Sequence, residues 1–246
     1  MPGFIEWLDT PAGRVPRIAS DLTLADHWGG CKARWGFGRM SYMVPPGLYA
    51  VGSPTPESPV IVTANYKMTY DSLRRALAGC DTWVLVLETY GINVWCAAGK
   101  GTFGTDEVVR RVTSAGLEKV VSHRRLILPI LGAPGVAAHH VKNRCGFAVT
   151  YATVYAADLP SYFDNGMVTT PPMRKVKFSL YDRLVLIPVE VVLQLKPLAM
   201  ASALVFLACA LGGGPSAGLI ALMRGRWGTP STPGLNSSND RPPMPS

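Results

Sequence analysis

Short apolar runs that alternate with helix-forming segments constrain the fold of this chain more than any other feature. The apolar runs lie at residues 60–62, 83–87, 125–130 and 147–151, and helices are predicted over residues 70–77, 105–115, 136–143 and 158–163. Runs of this length and composition are typical of buried parallel strands. The alternation predicts an α/β domain of Rossmann or flavodoxin type, in which a parallel sheet carries helices on both faces.

The stretch after the second apolar run is the most informative about chemistry. It reads Asn93-Val94-Trp95-Cys96-Ala97-Ala98-Gly99-Lys100 and places Cys96 near the start of a very short helix at the carboxyl end of a strand. Ligands of open α/β sheets bind at that edge, and the positive end of a helix favours a thiolate. Because Ala97, Ala98 and Gly99 carry little side chain, the turn suits a planar macrocycle whose metal takes sulfur from Cys96.

Two other interpretations of this stretch need to be considered. A free cysteine most often behaves as a small buried apolar residue, and one cysteine without partners is a weak signal for a site. Gly99-Lys100 also suggests a phosphate-binding loop. The Walker pattern, however, requires Gly at the position of Val94 and Ser or Thr at the position of Gly101. Nucleotide binding by this loop is therefore rejected.

Three loops are expected to meet at the carboxyl edge of the sheet: residues 63–67, 90–104 and 131–135. Besides the 93–100 stretch, the candidate ligand contacts are Thr63, Asn65, Tyr66, Gly132, Ala133 and Gly135. For any one of these residues, ordinary strand-to-helix turn chemistry is an equally good explanation. His139-His140 does not indicate a metal site, because adjacent residues on a helix point about 100° apart.

Composition narrows the class of protein. The net charge of +8 is scattered and shows no basic patch interleaved with aromatic residues, so nucleic-acid binding is not indicated. The five cysteines are odd in number and widely spaced, which indicates neither a disulfide framework nor a zinc or iron–sulfur site. The N-terminus does not resemble a secretory signal. These features predict a reducing, cytoplasmic setting.

The C-terminal quarter differs from the rest of the chain. Residues 183–197 are strongly apolar and are expected to lie at a membrane interface, and residues 198–223 contain no charged residue. That length exceeds the ~20 residues that cross a bilayer, although Gly212-Gly213-Gly214-Pro215 interrupts it.

The remaining segments are predicted to have little regular structure. Residues 1–27 are predicted to be an irregular arm, residues 28–52 a packed loop or short hairpin, and residues 224–246 a disordered tail.

Basic residues set the expected orientation of that span. Five precede it, at positions 174, 175, 177, 183 and 196, and Arg224 and Arg226 follow it. The positive-inside rule then places the N-terminal domain on the cytoplasmic side of the inner membrane. The two later arginines agree with this orientation if the Gly-rich segment turns back to the same side.

The 93–100 stretch, with Gly101 to Asp106 after it, resembles the cap-helix motif of HgcA-type mercury-methylation corrinoid proteins. The resemblance extends over residues 28–196 and includes Lys32-Ala33-Arg34-Trp35-Gly36, Val62-Thr63-Ala64-Asn65-Tyr66-Lys67-Met68 and Leu131-Gly132-Ala133-Pro134-Gly135-Val136. More distantly, the chain resembles the corrinoid domain of corrinoid iron–sulfur proteins, the gamma subunits of acetyl-CoA decarbonylase/synthase. The resemblance implies a corrinoid-binding domain over residues 28–182 with Cys96 as the lower axial ligand of cobalt.

The implied function is corrinoid-dependent methyl transfer from a methylated folate-type donor to Hg(II). The implied electron donor is a ferredoxin-like protein of the HgcB type with two [4Fe-4S] clusters, since this chain has no cluster-binding cysteine set. The alternatives are a methyl carrier of the acetyl-CoA pathway and a non-catalytic, membrane-anchored corrinoid-binding module. Members of the HgcA-type family carry several transmembrane helices, whereas this chain has room for one or two. We therefore expect a truncated or altered C-terminus.

Overall fold

The computed structural model describes residues 1–177 and 179–213. The strands are β1 (Phe4–Thr10), β2 (Gly13–Ile18), β3 (Gly47–Val51), β4 (Val60–Ala64), β5 (Thr82–Leu87), β6 (Arg125–Leu128) and β7 (Ala148–Tyr151). The α-helices are α1 (Leu24–Arg34), α2 (Lys67–Ala76), α3 (Val94–Gly99), α4 (Thr105–Ser114), α5 (Leu117–Val120), α6 (Ala138–Cys145), α7 (Leu159–Asp164) and α8 (Leu180–Gly213).

The seven strands form one sheet in the order β1-β2-β3-β5-β4-β6-β7. Strands β5, β4, β6 and β7 are mutually parallel, as the alternation predicted. On the other side, β3 pairs antiparallel with β5, β2 pairs parallel with β3, and β1 pairs antiparallel with β2. The sheet is therefore mixed, with a parallel half that follows the flavodoxin-like order and a three-stranded extension that the sequence pattern did not predict.

Helices cover both faces of the parallel half, which confirms the predicted layering. Alternate residues of the central strands point to opposite faces. Val62 of β4 and Leu85 of β5 pack in one core, with apolar residues of α3, α4, α5 and α6. Ile61 of β4 and Val84 of β5 pack in the other core, with residues of α2 and α7. All residues of β4 and β5 are buried, as expected for strands covered on both sides.

The predictions for the first fifty residues were wrong. Residues 4–18 form a β-hairpin that joins the sheet, in place of an irregular arm. The segment predicted as a loop contains the end of α1 and the strand β3. Helix α1 begins at a capping box. The Asp26 backbone N–H donates to the Thr23 hydroxyl oxygen, and the Thr23 backbone N–H donates to the Asp26 carboxylate. The abundant Gly and aromatic residues after Thr23 obscured this signal.

Beyond residue 190 the chain forms a second unit, whose described part is the remainder of α8. The predicted interfacial segment at 183–197 and the start of the predicted span at 198 lie in one helix, Leu180–Gly213, and their placement relative to a membrane stays a prediction. Within the described residues, one helical segment, Arg183–Leu211, is long and apolar enough to cross a membrane by length and composition. Residues 214–223 and the predicted disordered tail at 224–246 lie outside the described residues.

Candidate functional site

A cavity of about 400 Å³ opens at the carboxyl edge of the parallel strands. Across the sheet, the parallel strands β5, β4, β6 and β7 are the second, first, third and fourth of their set in the chain. The direction in which successive strands are added to the sheet therefore reverses between β4 and β6. Doubly wound sheets bind ligands at this reversal, beyond the carboxyl ends of the strands. The cavity lies there. Its lining consists of Ile61, Val62, Thr63, Tyr66, Met68, Thr69, Ser72, Leu73, Asn93, Val94, Trp95, Ile127, Leu128, Pro129, Leu131, Ala152, Thr153, Val154, Tyr155, Ala156 and Leu159.

The three loops named from the sequence meet around this cavity, which confirms their predicted juxtaposition. The first loop contributes Thr63 and Tyr66 to the cavity wall. The second loop contributes residues 93–95, and the third contributes Leu131. The lining is mostly apolar, with a few hydroxyl and amide groups, as is common for sites that bind organic ligands. Direct contact between these residues and a corrinoid stays a prediction.

Helix α3 is short because a side-chain cap begins it and glycine ends it. Asn93 is the N-cap residue, and its Oδ1 accepts a hydrogen bond of 2.9 Å from the Cys96 backbone N–H. After Gly99 the backbone turns through Gly101, which has a φ of +79°. The sequence therefore fixes both ends of the helix that carries Cys96.

The two faces of α3 have different environments. Val94, Ala97 and Ala98 are buried in the core, at the i, i+3, i+4 spacing of one helix face. Trp95 and Cys96 are exposed on the other side. The prediction that Ala97 and Ala98 face the ligand was wrong for their side chains, because apolar packing holds α3 to the sheet through them. The open surface beside the thiol belongs to Trp95 and to the exposed Gly99 and Lys100.

The glycines of the third loop serve packing within the protein. A Cβ on Gly135 would lie 2.1 Å from the Phe103 carbonyl oxygen and 3.0 Å from Ala98 Cα. A Cβ on Gly132 would lie 2.6 Å from the Phe103 ring. These residues therefore let the loop approach α3 closely. Gly132, Ala133 and Gly135 are not among the cavity-lining residues, and their contact with a ligand stays a prediction.

The polar residues of the first loop differ in their roles. Thr63 lines the cavity, whereas Asn65 is fully buried and its amide is bonded within the protein. The Tyr66 hydroxyl donates a 3.0 Å hydrogen bond to Met68 Sδ. Burial raises the pKa of Tyr66, opposed by the charges of Arg39 and Arg34. Tyr66 is thus a neutral donor at the cavity wall.

No resident metal site is built from side chains alone in the described part of the chain, since it contains no group of three or more His, Cys, Asp or Glu residues that could hold an ion. His139 and His140 are exposed, with ring centroids 4.2 Å apart in an edge-to-face arrangement. Cys96 offers one accessible sulfur and directly follows the cavity-lining residues 93–95, although it is not itself among the lining residues. This donor set fits a metal that brings its own equatorial ligands and takes one axial ligand from the protein.

Part of the cavity wall escaped the sequence analysis. Helix α2 contributes Met68, Thr69, Ser72 and Leu73, and the loop after β7 contributes residues 152–156. The second group could have been found, because the loop after the fourth predicted strand must reach the same edge of the sheet as the other three. The α2 contacts depend on how that helix packs, which the pattern does not specify.

Comparison with known proteins relates this unit to enzymes of acetyl-CoA metabolism. A family model described as CO dehydrogenase/acetyl-CoA synthase delta subunit matches residues 38–157, a range that contains Cys96 and strands β3 to β7. The chain is also similar to acetyl-CoA decarbonylase/synthase complex gamma subunits. It is 32% identical to that of Methanopyrus kandleri over 50% of this chain and 26% of the relative.

Two further gamma subunits show the same extent of similarity. Identity is 35% with that of Archaeoglobus fulgidus, over 39% of this chain and 21% of the relative. It is 33% with that of Methanocaldococcus jannaschii, over 52% of this chain and 26% of the relative. The chain thus spans about a quarter of the length of these curated relatives. The matches agree with the more distant resemblance drawn from the sequence, the one to acetyl-CoA decarbonylase/synthase gamma subunits. They do not show the resemblance to HgcA-type mercury-methylation proteins.

Proposed function

We propose that the α/β unit binds a corrinoid at the carboxyl edge of β4 to β7 and takes part in methyl transfer. The observation that carries the proposal is the exposed Cys96 thiol on α3, which directly follows residues 93–95, the part of α3 and its cap that lines a cavity of about 400 Å³ where the strand order reverses. When bound, a corrinoid supplies a cobalt centre that accepts and releases methyl groups. The protein's part is to hold that group, supply one axial ligand and limit the access of water.

The residues present have separable roles in this proposal. Cys96 supplies the sulfur ligand, and Asn93 fixes the turn that presents it. Thr63, Tyr66, Asn93, Val94 and Trp95 line the cavity and would contact the part of the cofactor that enters it. Gly99 and Lys100 are exposed beside the thiol and would lie at the rim. The remaining small residues would support the helix and the loop that make these contacts. They are Ala97, Ala98, Gly132, Ala133 and Gly135.

For the methyl acceptor we propose Hg(II), as the resemblance of the 93–100 stretch implies. Cys96 would hold the cobalt through a thiolate, which is a strong electron donor, and the bound corrinoid would supply a methyl group as a carbanion equivalent. A soft, thiophilic cation such as Hg(II) accepts a group in that form. The proposed electron donor is a ferredoxin-like protein of the HgcB type with two [4Fe-4S] clusters, and the proposed methyl donor is a methylated folate or its methyltransferase.

A second candidate function is methyl carriage in the acetyl-CoA pathway. The family model and the gamma-subunit relatives favour it, and they support it more directly than they support mercury methylation. In that case the acceptor would be another subunit of an acetyl-CoA-forming complex. A non-catalytic corrinoid-binding module would retain the cofactor and transfer methyl to neither acceptor.

The proposed location is the inner membrane with the α/β unit facing the cytoplasm. The apolar segment Arg183–Leu211 supports an anchor by its length and composition. Labelling intact cells with a membrane-impermeant thiol reagent tests the orientation, since Cys31 is exposed on the unit. Labelling of Cys31 only after lysis is expected. Strong labelling before lysis would place the unit outside.

The central experiment loads the full chain with cobalamin and compares it with Cys96→Ala and Cys31→Ala. The wild-type protein should show an absorption spectrum of thiolate-ligated cobalt, and only Cys96→Ala should lose it, because Cys31 is also exposed but lies on α1. An unchanged spectrum in Cys96→Ala would exclude the ligand assignment.

The methyl-loaded protein then separates the candidate functions. It is offered either Hg(II) or an acetyl-CoA synthase with CO and coenzyme A, and free methylcobalamin provides the background rate. Methylmercury formed faster than background supports the first candidate. Acetyl-CoA formed without methylmercury supports the second, and transfer to neither acceptor leaves a corrinoid-binding module.

A further inference from the structure

Asn65 is a fully buried amide at the end of β4, and its side chain is directed at the chain segment that leads into α3. Its exposed fraction is 0%. Buried side-chain amides are stable only when their donors and acceptor find partners. The partners of Asn65 lie more than twenty residues away, in the segment 88–91 after β5. The amide therefore joins two loops of the site.

The oxygen of the amide accepts hydrogen bonds from that segment. The Thr89 and Gly91 backbone N–H groups each donate to Asn65 Oδ1 at 3.1 Å. The Thr89 hydroxyl lies 2.8 Å from the same oxygen and 2.7 Å from the Ile92 carbonyl oxygen, either of which can accept its single proton. One side-chain oxygen thus organises the backbone of 89–91, and the Thr89 hydroxyl extends the arrangement to Ile92.

The nitrogen of the amide extends the same network. Asn65 Nδ2 donates a 2.6 Å hydrogen bond to Glu88 Oε1 and contacts Met43 Sδ at 3.8 Å. Glu88 Oε1 also accepts from the Tyr90 backbone N–H at 2.8 Å. The Glu88 backbone N–H in turn donates to Glu107 Oε1 at 2.8 Å. Every backbone N–H from 88 to 91 is bonded to the side chain of Asn65, Glu88 or Glu107.

The backbone held by these bonds is not one that the chain adopts easily. Tyr90 has a φ of +55° and Gly91 a φ of +70°. The left-handed region is unfavourable for a residue with a bulky side chain. The Tyr90 side chain is 64% exposed, so core packing does not hold it in that conformation. The hydrogen bonds to Asn65 and Glu88 therefore supply the compensation.

We infer that Asn65 is the positioning residue for Cys96, and this inference rests on the proposed function of that thiol. The amide fixes segment 88–91, the segment fixes where Asn93 starts α3, and Asn93 caps the Cys96 N–H at 2.9 Å. Packing of Val94, Ala97 and Ala98 keeps α3 on the core, but it does not set the path by which the chain enters the helix.

Substitutions at Asn65 and Glu88 test this assignment. Asn65→Asp keeps the acceptor oxygen but sets a second carboxylate against Glu88, where like charges repel. Asn65→Asp combined with Glu88→Gln exchanges donor and acceptor between the two positions and restores the hydrogen bond between these side chains, while the Tyr90 N–H loses the oxygen that it shares with Asn65. Glu88→Gln alone keeps an acceptor for both Asn65 and the Tyr90 N–H. Asn165→Asp, at an exposed residue after α7, is the matched control for the same change of charge.

The first measurement is amide hydrogen exchange in the full chain without cofactor. In Asn65→Asp the Thr89 and Gly91 amides should exchange at least about tenfold faster, since their acceptor is displaced. The Cys96 amide should exchange at least about threefold faster, because its cap is no longer held in place. The double variant should return all three rates to near the wild-type values, and Glu88→Gln and Asn165→Asp should leave them unchanged.

The second measurement adds cobalamin and follows the absorption spectrum of thiolate-ligated cobalt. Asn65→Asp should weaken it, and the double variant should restore it. If the single variant does not fold, Thr89→Val removes the hydroxyl donor with little change of shape and should accelerate exchange at Gly91 and Cys96 in the same direction by a smaller factor. Thus the inference stays testable.

The outcomes separate the inference from the function on which it rests. Faster exchange at Thr89 and Gly91 with an unchanged rate at Cys96 would overturn the inference, as would failure of the double variant to restore Cys96. If wild-type protein never shows thiolate-ligated cobalt, the proposed function fails. The exchange rates still decide whether Asn65 positions Cys96.

Discussion

The parallel half of the sheet and its three-stranded extension are stabilised in different ways. All residues of β4 and β5 are buried between two apolar cores. By contrast, the first four residues of β1, at the far edge of the extension, are exposed. The parallel half, which carries the cavity and Cys96, thus depends on apolar burial, whereas the extension needs another means of attachment.

A buried network of four charged side chains supplies part of that attachment. Asp26 of α1 bonds Lys67 at 2.6 Å and Arg74 at 2.7 Å, both on α2. Asp71, also on α2, bonds the same two cations at 2.5 Å and 2.9 Å. Arg74 further donates to the Ala19 carbonyl oxygen at 2.9 Å. The N-terminal segment is therefore joined to α2 by groups that must stay ionised.

The comparison teaches that chemistry and stability can be separated in this molecule. The candidate site lies mainly on apolar packing, and the charged junction involves the other face of α2. Substitution of the exposed Cys96 should change cofactor chemistry with little change in stability, and substitutions in the charged junction should change stability.

The largest expected effect is functional and falls in the parallel half. Cys96→Ala should reduce methyl transfer to the rate of free methylcobalamin. Its free energy of unfolding should change by no more than about 0.5 kcal/mol, because the thiol is exposed. Chemical denaturation and a transfer assay on one preparation check both. A marked loss of stability would mean that Cys96 serves the fold and would weaken the separation of the two regions.

Next in size is the loss of Arg74 from the junction. Arg74→Ala should lower the free energy of unfolding by about 3–5 kcal/mol, because it leaves two buried carboxylates with Lys67 as their one remaining cation in the network. Urea denaturation measures the loss. Arg75→Ala, at the exposed neighbouring position, is the control and should be nearly neutral. Equal stability of the two variants would show that the network contributes little.

A smaller effect is expected at the close contact between the third loop and α3. Gly135→Ala should cost about 1–3 kcal/mol by overpacking against Phe103 and Ala98, and should reduce cobalamin retention by displacing α3. Gly30→Ala, on α1, meets nothing within 4 Å and serves as the control. Thermal melting and gel filtration with bound cobalamin provide the measurements. Full retention in Gly135→Ala would show that the loop does not position the helix.

The effect that is smallest at neutral pH concerns acid stability. Burial alone would raise the pKa of Asp26, but hydrogen bonds from Lys67, Thr23 and Arg74 outweigh it and hold that pKa below its usual range. A lowered native pKa stabilises the fold above the unfolded value of about 4, and this stabilisation is lost as the pH falls through the native value. The pKa of Glu107 is lowered in the same way, since hydrogen bonds from the Glu88 N–H, Arg111 and Arg110 outweigh the effect of burial, which alone would raise it.

Unfolding free energies measured from pH 7 to pH 3 should therefore decline in wild type below about pH 5. In Asp26→Asn the decline should be shallower, from a lower stability at pH 7. Glu57→Gln, which changes an exposed carboxylate, should follow the wild-type curve. Parallel curves for wild type and Asp26→Asn would assign the acid sensitivity to other groups.

Local sequence patterns were enough to predict the parallel half of the sheet and the position of Cys96. Its apolar runs have the length of buried strands, and strands β4 to β7 lie where they were predicted, within three residues. These are local properties, since periodicity, an Asn cap and glycine act within a few residues. For the same reason the meeting of three loops at one edge followed directly from parallel strand order.

The remaining features depend on contacts between segments that are distant in the chain. The hairpin at residues 4–18 has few buried residues of its own and exists because its strand pairs with β3. The burial of Ala97 and Ala98, the close approach of Gly135 and the bonds from Asn65 to segment 88–91 all join residues far apart in the chain. Such contacts depend on packing between elements, and a pattern with a period of two or 3.6 residues carries no information about them.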